Sequence, residues 1–186
     1  MNRWDPTKYA PIPEHWFRGD ELNELGPGHP IGDVCREIEQ SDPRRWLARQ
    51  EPVCADMAKA CQAGLLLRND GLDASHRISQ TLESPTGAYW HGIMHRREPD
   101  PSNAKYWFRR VGDYPTFAAL LESAIELASN DSNRVADRIS RWSTWDPYEF
   151  IDICEEARSN PDRGAALCRR IALAEWQILF DHCYRG

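Results

Sequence analysis

The stretch that decides the fold is residues 84–112, which read SPTGAYWHGIMHRREPDPSNAKYWFRRVG. It contains two helix-start signals, Ser84-Pro85 and Asp100-Pro101. A serine or aspartate side chain can cap a helix, and proline suits the first helical position because its φ is already fixed there. Apolar residues recur at helical spacing after each start. The stretch therefore predicts two successive helices joined by a short turn.

The same signals recur along the chain and predict an all-α fold. Further starts stand at Asp42-Pro43, Asp146-Pro147 and Asn160-Pro161, and no strand pattern competes with them. The short gaps favour one compact bundle of roughly eight to ten helices. The predicted helices cover 33–40, 43–49, 52–68, 72–82, 85–97, 101–111, 115–128, 133–142, 147–158 and 162–183.

Residues 1–32 differ from the helical remainder. Five prolines interrupt this segment, together with several glycines, so we expect an extended N-terminal arm followed by a single helical domain at 33–186. Burial of aromatic side chains is favourable, so we expect the arm to pack on the body or on a partner subunit. Packing on a partner subunit would make the protein a homo-oligomer. The aromatic residues of the arm are Trp4, Tyr9, Trp16 and Phe17.

The composition indicates a globular, cytoplasmic protein. Hydrophobic residues make up 41% and charged residues 28% of the 186 residues. The N-terminal residues lack a signal peptide's apolar region, and no apolar run is long enough to cross a membrane. The six cysteines form no CxxC pair and mostly fall within helical apolar patterns, so we expect them to be reduced.

A basic island interrupts an acidic chain. The formal net charge is −6, but residues 76–110 carry a net charge of +3. The negative net charge and the lack of a recognised binding motif disfavour nucleic acid as a partner, although Trp90, Tyr106 and Trp107 could stack on bases.

Three histidines within this island lie on two polar helix stripes. Residues three, four or seven apart share one face of a helix, and the two helices are expected to be neighbours because their connection is short. Gly92 leaves room for another helix or a ligand to approach. The stripes are Asp73, His76 and Gln80 on one helix and His91, His95 and Glu98 on the next.

One interpretation of these stripes is a transition-metal site. His91 and His95 have the i, i+4 spacing that zinc and iron sites use, and His76 would supply a third imidazole. The segment lacks the glutamate of the HExxH motif, so the spacing does not name a reaction.

A second interpretation is a pocket for a small anionic ligand, phosphorylated or carboxylated. Arginine and lysine side chains suit such ligands, and Asn103 lies near a helix N-terminus. No nucleophile or nucleotide motif accompanies the pocket, so an enzyme is not established, and histidine acid/base chemistry is the mechanism that the residues would permit. The candidate ligand-binding residues are Asp73, His76, Gln80, His91, His95, Arg96, Arg97, Asn103, Lys105, Arg109 and Arg110.

A third interpretation is a helical interaction module, in which the aromatic arm and a repeat-like unit form a surface for a partner or a dimer. The run HGIMHRREPDPSNAKYWFRRVG, residues 91–112, resembles the signature of a poorly characterised family of small microbial proteins, which implies no reaction. The same block is similar to one tetratricopeptide-repeat unit, since Gly92, Ala104 and Phe108 fall at its glycine, alanine and aromatic positions. It departs from that pattern at Ala88 and His95, where a tryptophan and a tyrosine are expected.

Overall fold

The computed structural model describes residues 4–47, 54–161 and 164–186. These residues form nine α-helices and no β-strand, which confirms the predicted all-α bundle. Short 3-10 helices lie at Pro6–Tyr9, Glu14–Phe17 and Pro43–Leu47. The α-helices are α1 (Gly32–Gln40), α2 (Ala55–Arg68), α3 (Leu72–Ser79), α4 (Pro85–Arg97), α5 (Pro101–Val111), α6 (Phe117–Ser129), α7 (Arg134–Ile139), α8 (Pro147–Ser159) and α9 (Ala165–Arg185).

Side-chain caps begin three of these helices where the sequence predicts them. Ser84 Oγ accepts a hydrogen bond from the backbone N–H of Gly87 over 3.2 Å at the start of α4. Asp100 caps α5 through the N–H of Asn103 at 3.1 Å, and Asp146 caps α8 in the same way. Each cap satisfies a backbone N–H that has no partner within its helix.

Two predicted helix starts differ in the structure. Pro43 opens a 3-10 helix, and the remainder of the predicted range 43–49, with the start of 52–68, falls at positions 48–53, outside the described residues. Asn160 ends α8, and α9 begins only at Ala165. Gly164 has φ +102°, a left-handed conformation that a right-handed helix cannot continue through, so α9 starts after it.

Helix α4 is the centre of the bundle. Its residues 86–97 are all buried, and it packs against α2, α3 and α5. Gly92 permits a close approach of α5, since a Cβ atom built there would lie 2.8 Å from the ring of Phe108 on α5. The room that we expected beside Gly92, for a helix or a ligand, is therefore occupied by a neighbouring helix.

The N-terminal arm packs onto the body of its own chain. Tyr9 stacks edge-on against Phe180 at 5.3 Å between ring centroids, and Phe17 does so at 5.4 Å. The buried guanidinium of Arg68 donates to the backbone carbonyls of Phe17, at 3.0 Å, and Gly19, at 3.1 Å. These contacts make the arm part of the core, with two short 3-10 helices inside it.

The state of the cysteines and the length and polarity of the helices bear on two further expectations. All six cysteines are free thiols, five of them buried and Cys54 exposed. Among the described residues, every helix is too short or too polar to cross a bilayer.

Candidate metal centre

Three imidazoles meet where α3 packs against α4. His76 lies on α3, and His91 and His95 lie one turn apart on α4. One ring nitrogen from each histidine lies within 4.8 Å of the others, so the predicted convergence of these three residues is present. Two of the three, His91 and His95, are buried, and His76 is half-buried.

His91 is the most deeply enclosed of the three. Its side chain is buried, with 2% relative exposure, and in the described part of the chain neither ring nitrogen has a hydrogen-bond partner. Burial, the largest cause, together with the charges of His95, His76 and Arg110 lowers the pKa of His91 to about 3. The imidazole is therefore neutral at neutral pH, and one nitrogen presents an unshared lone pair.

Aromatic stacking fixes the orientation of the His91 ring. Trp107 of α5 lies against it with 3.8 Å between centroids and 17° between planes. His95 stacks on it at 4.8 Å, also at 17°. His76 meets His91 and His95 edge-on, at 4.6 Å and 5.3 Å. The three rings thus form one packed group between α3, α4 and α5.

Glu98 determines which nitrogen of His95 faces the cluster. Its carboxylate lies 2.9 Å from Nδ1 of His95, so Nδ1–H donates to it and Nε2 keeps its lone pair. Burial lowers the pKa of His95, whereas Glu98 opposes that shift. A carboxylate behind an imidazole is the arrangement that orients histidine ligands in metal sites.

Asn103 closes the cluster from the first turn of α5. Its Nδ2 lies 3.1 Å from Nε2 of His95, and the side chain is half-buried. A half-turn of the carboxamide would exchange Nδ2 for the oxygen Oδ1 at the same place. Asn103 can therefore offer either a donor or an oxygen ligand to whatever the imidazoles bind.

The arginines of α4 point away from the histidines. Arg96 is buried in an ion pair with Glu175 of α9, and its guanidinium also lies over the ring of Phe150. Arg97 donates to Asp70 at 2.5 Å and to the carbonyl of Leu67 at 2.7 Å. Both arginines were predicted as anion ligands. Their N–H groups instead donate to buried carboxylates and, for Arg97, to backbone carbonyls. Each arginine thereby joins segments that are distant in the sequence.

The basic residues of α5 have different surroundings. Lys105 pairs with Asp152 at 2.6 Å, which removes it from the predicted pocket. Arg109 lies over the ring of Tyr106 at 5.8 Å, and Arg110 lies over Trp107 at 5.1 Å. Of these three residues, Arg110 is the one whose contacts connect it to the histidine cluster.

Asp73 lies exposed on α3, and Gln80 is exposed directly after the end of that helix. Asp73 and Glu98 both line a groove of about 440 Å³ between α3 and the arm residues 27–30. The groove therefore reaches the carboxylate that holds His95.

Trp107 is the site residue whose role the sequence did not identify. The sequence indicated only that Trp107 could stack on bases, whereas its ring covers one face of His91. The sequence does contain a signal for this role. Asn103, Trp107 and Arg110 stand at i, i+4 and i+7, so they share one face of α5.

The fold and the site define an all-helical protein with a buried three-histidine cluster. Comparisons with protein families, curated proteins and solved structures give no match to this chain.

Proposed function

We propose that this protein binds a divalent transition metal, zinc in the first place, through His76, His91 and His95. The observation that carries the proposal is His91, a neutral imidazole beside two other imidazoles, whose two buried ring nitrogens have no hydrogen-bond partner among the described residues. A buried polar group without a partner costs about 1–3 kcal/mol, and a metal bond would offset that cost. Imidazole nitrogen suits zinc, copper, iron and nickel alike.

Two carboxylates near His95 favour a cation, whereas Arg110 is a positive charge near His91. Glu98 lies against His95, and Asp100 is close enough to raise the pKa of that imidazole. Arg96 and Arg97, the nearest cations along α4, are neutralised by Glu175 and Asp70.

The distances fit a site that contracts on binding. The ligand nitrogens lie within 4.8 Å of one another. Tetrahedral zinc with bonds of about 2.0–2.1 Å holds its nitrogens about 3.3 Å apart. Asn103 is already at that separation from Nε2 of His95, at 3.1 Å. Modest side-chain rotation of the imidazoles would complete the approach.

Three protein ligands leave one coordination position for water, for Asn103 or for a small molecule. Zinc in such an open site acts as a Lewis acid and lowers the pKa of bound water to about 7. Glu98 would hold His95 in the ligating tautomer, and Trp107 would exclude water from one face of His91. The proposal thus extends to metal-dependent chemistry on a small substrate.

Elemental analysis of untagged protein, purified without chelator and then incubated with Zn²⁺ and desalted, tests the proposal. We expect one equivalent of zinc, lost in His76→Ala and in His91→Ala but retained in His29→Ala, whose histidine is exposed in the arm. His76→Ala is the decisive variant because its half-buried side chain can be removed with little effect on the core. Zinc-free wild type, or zinc retained by His76→Ala, would refute the proposal and leave the anionic pocket and the interaction module.

A further inference from the structure

One face of α5 extends the histidine cluster to the surface. Asn103 contacts His95, Trp107 stacks on His91, and Arg110 lies over Trp107. The three α5 residues occur at i, i+4 and i+7 and form one continuous stripe. The stacked indole of Trp107 thereby places the cationic side chain of Arg110 at the edge of the site.

Arg110 differs from the other basic residues near the cluster because it combines a guanidinium without a carboxylate partner in the described chain with a contact to Trp107. Arg109 is likewise exposed and unpaired among the described residues, but it lies over Tyr106. Arg96, Arg97 and Lys105 are each paired with a carboxylate. Arg110 is exposed, and no carboxylate among residues 4–47, 54–161 and 164–186 lies within 4.0 Å of it. Its guanidinium lies over the ring of Trp107, and a stacked guanidinium keeps its N–H donors in the plane of the group, available to a ligand.

The guanidinium is close enough to act on the same ligand as the imidazoles. It lies 5.1 Å from the Trp107 ring centroid, which lies 3.8 Å from that of His91. The guanidinium carbon is therefore at most about 9 Å from the His91 ring. A tetrahedral oxyanion has enough oxygens to give one to a metal and two others to an arginine fork, whereas a carboxylate has only two oxygens in all.

We infer that the open position of the three-histidine metal site binds the phosphate group of a small molecule, with Arg110 as its second contact. This inference rests on the proposed metal site. Trp107 has two roles in it, since one contact orients His91 and the other holds Arg110. Arginine is suited to the role because its fork matches phosphate geometry.

The test is calorimetric titration of inorganic phosphate into the zinc-loaded protein. We expect Arg110→Gln to weaken phosphate binding about tenfold without changing the zinc content, and to reduce its salt dependence. Arg110→Lys should recover part of the loss because it restores the charge without the fork. Two controls should bind phosphate as the wild type does: Arg109→Gln, on the adjacent face of α5, and Arg134→Gln, on α7, which packs on α6 and α9.

The possible outcomes separate this inference from the proposal on which it rests. Zinc bound by the three histidines, with phosphate binding equal in wild type and Arg110→Gln, would overturn the inference and leave the metal site standing. A protein that binds no zinc would refute the metal site and the inference with it. Acetate that binds as tightly as phosphate would overturn the assignment to phosphate.

Discussion

Trp107 lies flat against His91, with ring centroids 3.8 Å apart and 17° between the ring planes. This contact joins α5 to the histidine pair of α4 and covers a polar ring that has no hydrogen-bond partner in the described chain. It accounts for a neutral, rigid imidazole in the interior, because the indole excludes water from one face and His95 covers the other.

Truncation of Trp107 should therefore change the titration of His91. In zinc-free Trp107→Ala, water reaches the imidazole, and we expect the pKa of His91 to rise from about 3 towards its ordinary value. Trp142→Ala, which removes another half-buried indole from the chain segment after α7, should leave that pKa unchanged. Imidazole NMR titration measures both variants. An unchanged His91 pKa in Trp107→Ala would mean that the indole does not control its hydration.

Acid should destabilise the zinc-free protein through His91. The unfolded residue takes up a proton near pH 6.5, whereas the folded residue does so only near pH 3 because burial lowers its pKa. Between these pH values the unfolded state binds more protons, so the free energy of unfolding falls as pH falls. The contribution of this one group approaches about 1.4 kcal/mol per pH unit within that window.

Urea denaturation across pH 3–6.5 measures this slope. His91→Phe, which keeps a stacked ring but cannot titrate, should have a shallower slope than wild type. His29→Phe, at an exposed arm position, should match the wild type. Equal slopes in wild type and His91→Phe would show that His91 takes up its proton as easily when folded as when unfolded.

Glu98 should influence the metal without touching it. Glu98→Gln keeps an acceptor near Nδ1 of His95 but loses the charge, and we expect zinc affinity to fall about 10–100-fold. Glu122→Gln, an exposed change on α6, serves as the control. Competition with a chromophoric chelator measures both affinities, and equal affinities would remove Glu98 from the site.

The Arg96–Glu175 pair should stabilise the fold without taking part in the site. Glu175 is 1% exposed and also accepts a hydrogen bond from Tyr89, so Glu175→Ala leaves a buried guanidinium unpaired. We expect a loss of about 3–5 kcal/mol in the free energy of unfolding. Glu156→Ala, which removes an exposed partner of Arg138, should cost less than about 1 kcal/mol. Chemical denaturation of both variants tests the difference.

Local signals made the fold predictable. The caps at Ser84, Asp100 and Asp146 act within their own first helical turn, so the chain order alone indicates them. His91 and His95 are one helical turn apart, so their proximity is also a local feature of the sequence. The short connection between α3 and α4 places His76 beside them. Of the two helix starts that differ, the start of α9 depends on the left-handed conformation of Gly164, which no residue pattern specifies.

Long-range contacts decided the parts of the site that the sequence could not indicate. Arg96 faces Glu175, which is 79 positions further along the chain, and Arg97 faces Asp70, 27 positions before it. Helical spacing places an arginine on a face but does not say which carboxylate packs there. The stacking of Trp107 depends likewise on how closely α5 approaches α4 at Gly92.

X-ray absorption at the zinc edge of the zinc-loaded protein tests the central claim most directly. The three-histidine site predicts a nitrogen and oxygen shell at about 2.0–2.1 Å, with the multiple scattering of three imidazoles. The chain also has six free cysteines, which would give a sulfur shell at about 2.3 Å if zinc bound to them instead. The imidazole shell is the result that the structure predicts, and a sulfur shell, or fewer than three imidazoles, would contradict it.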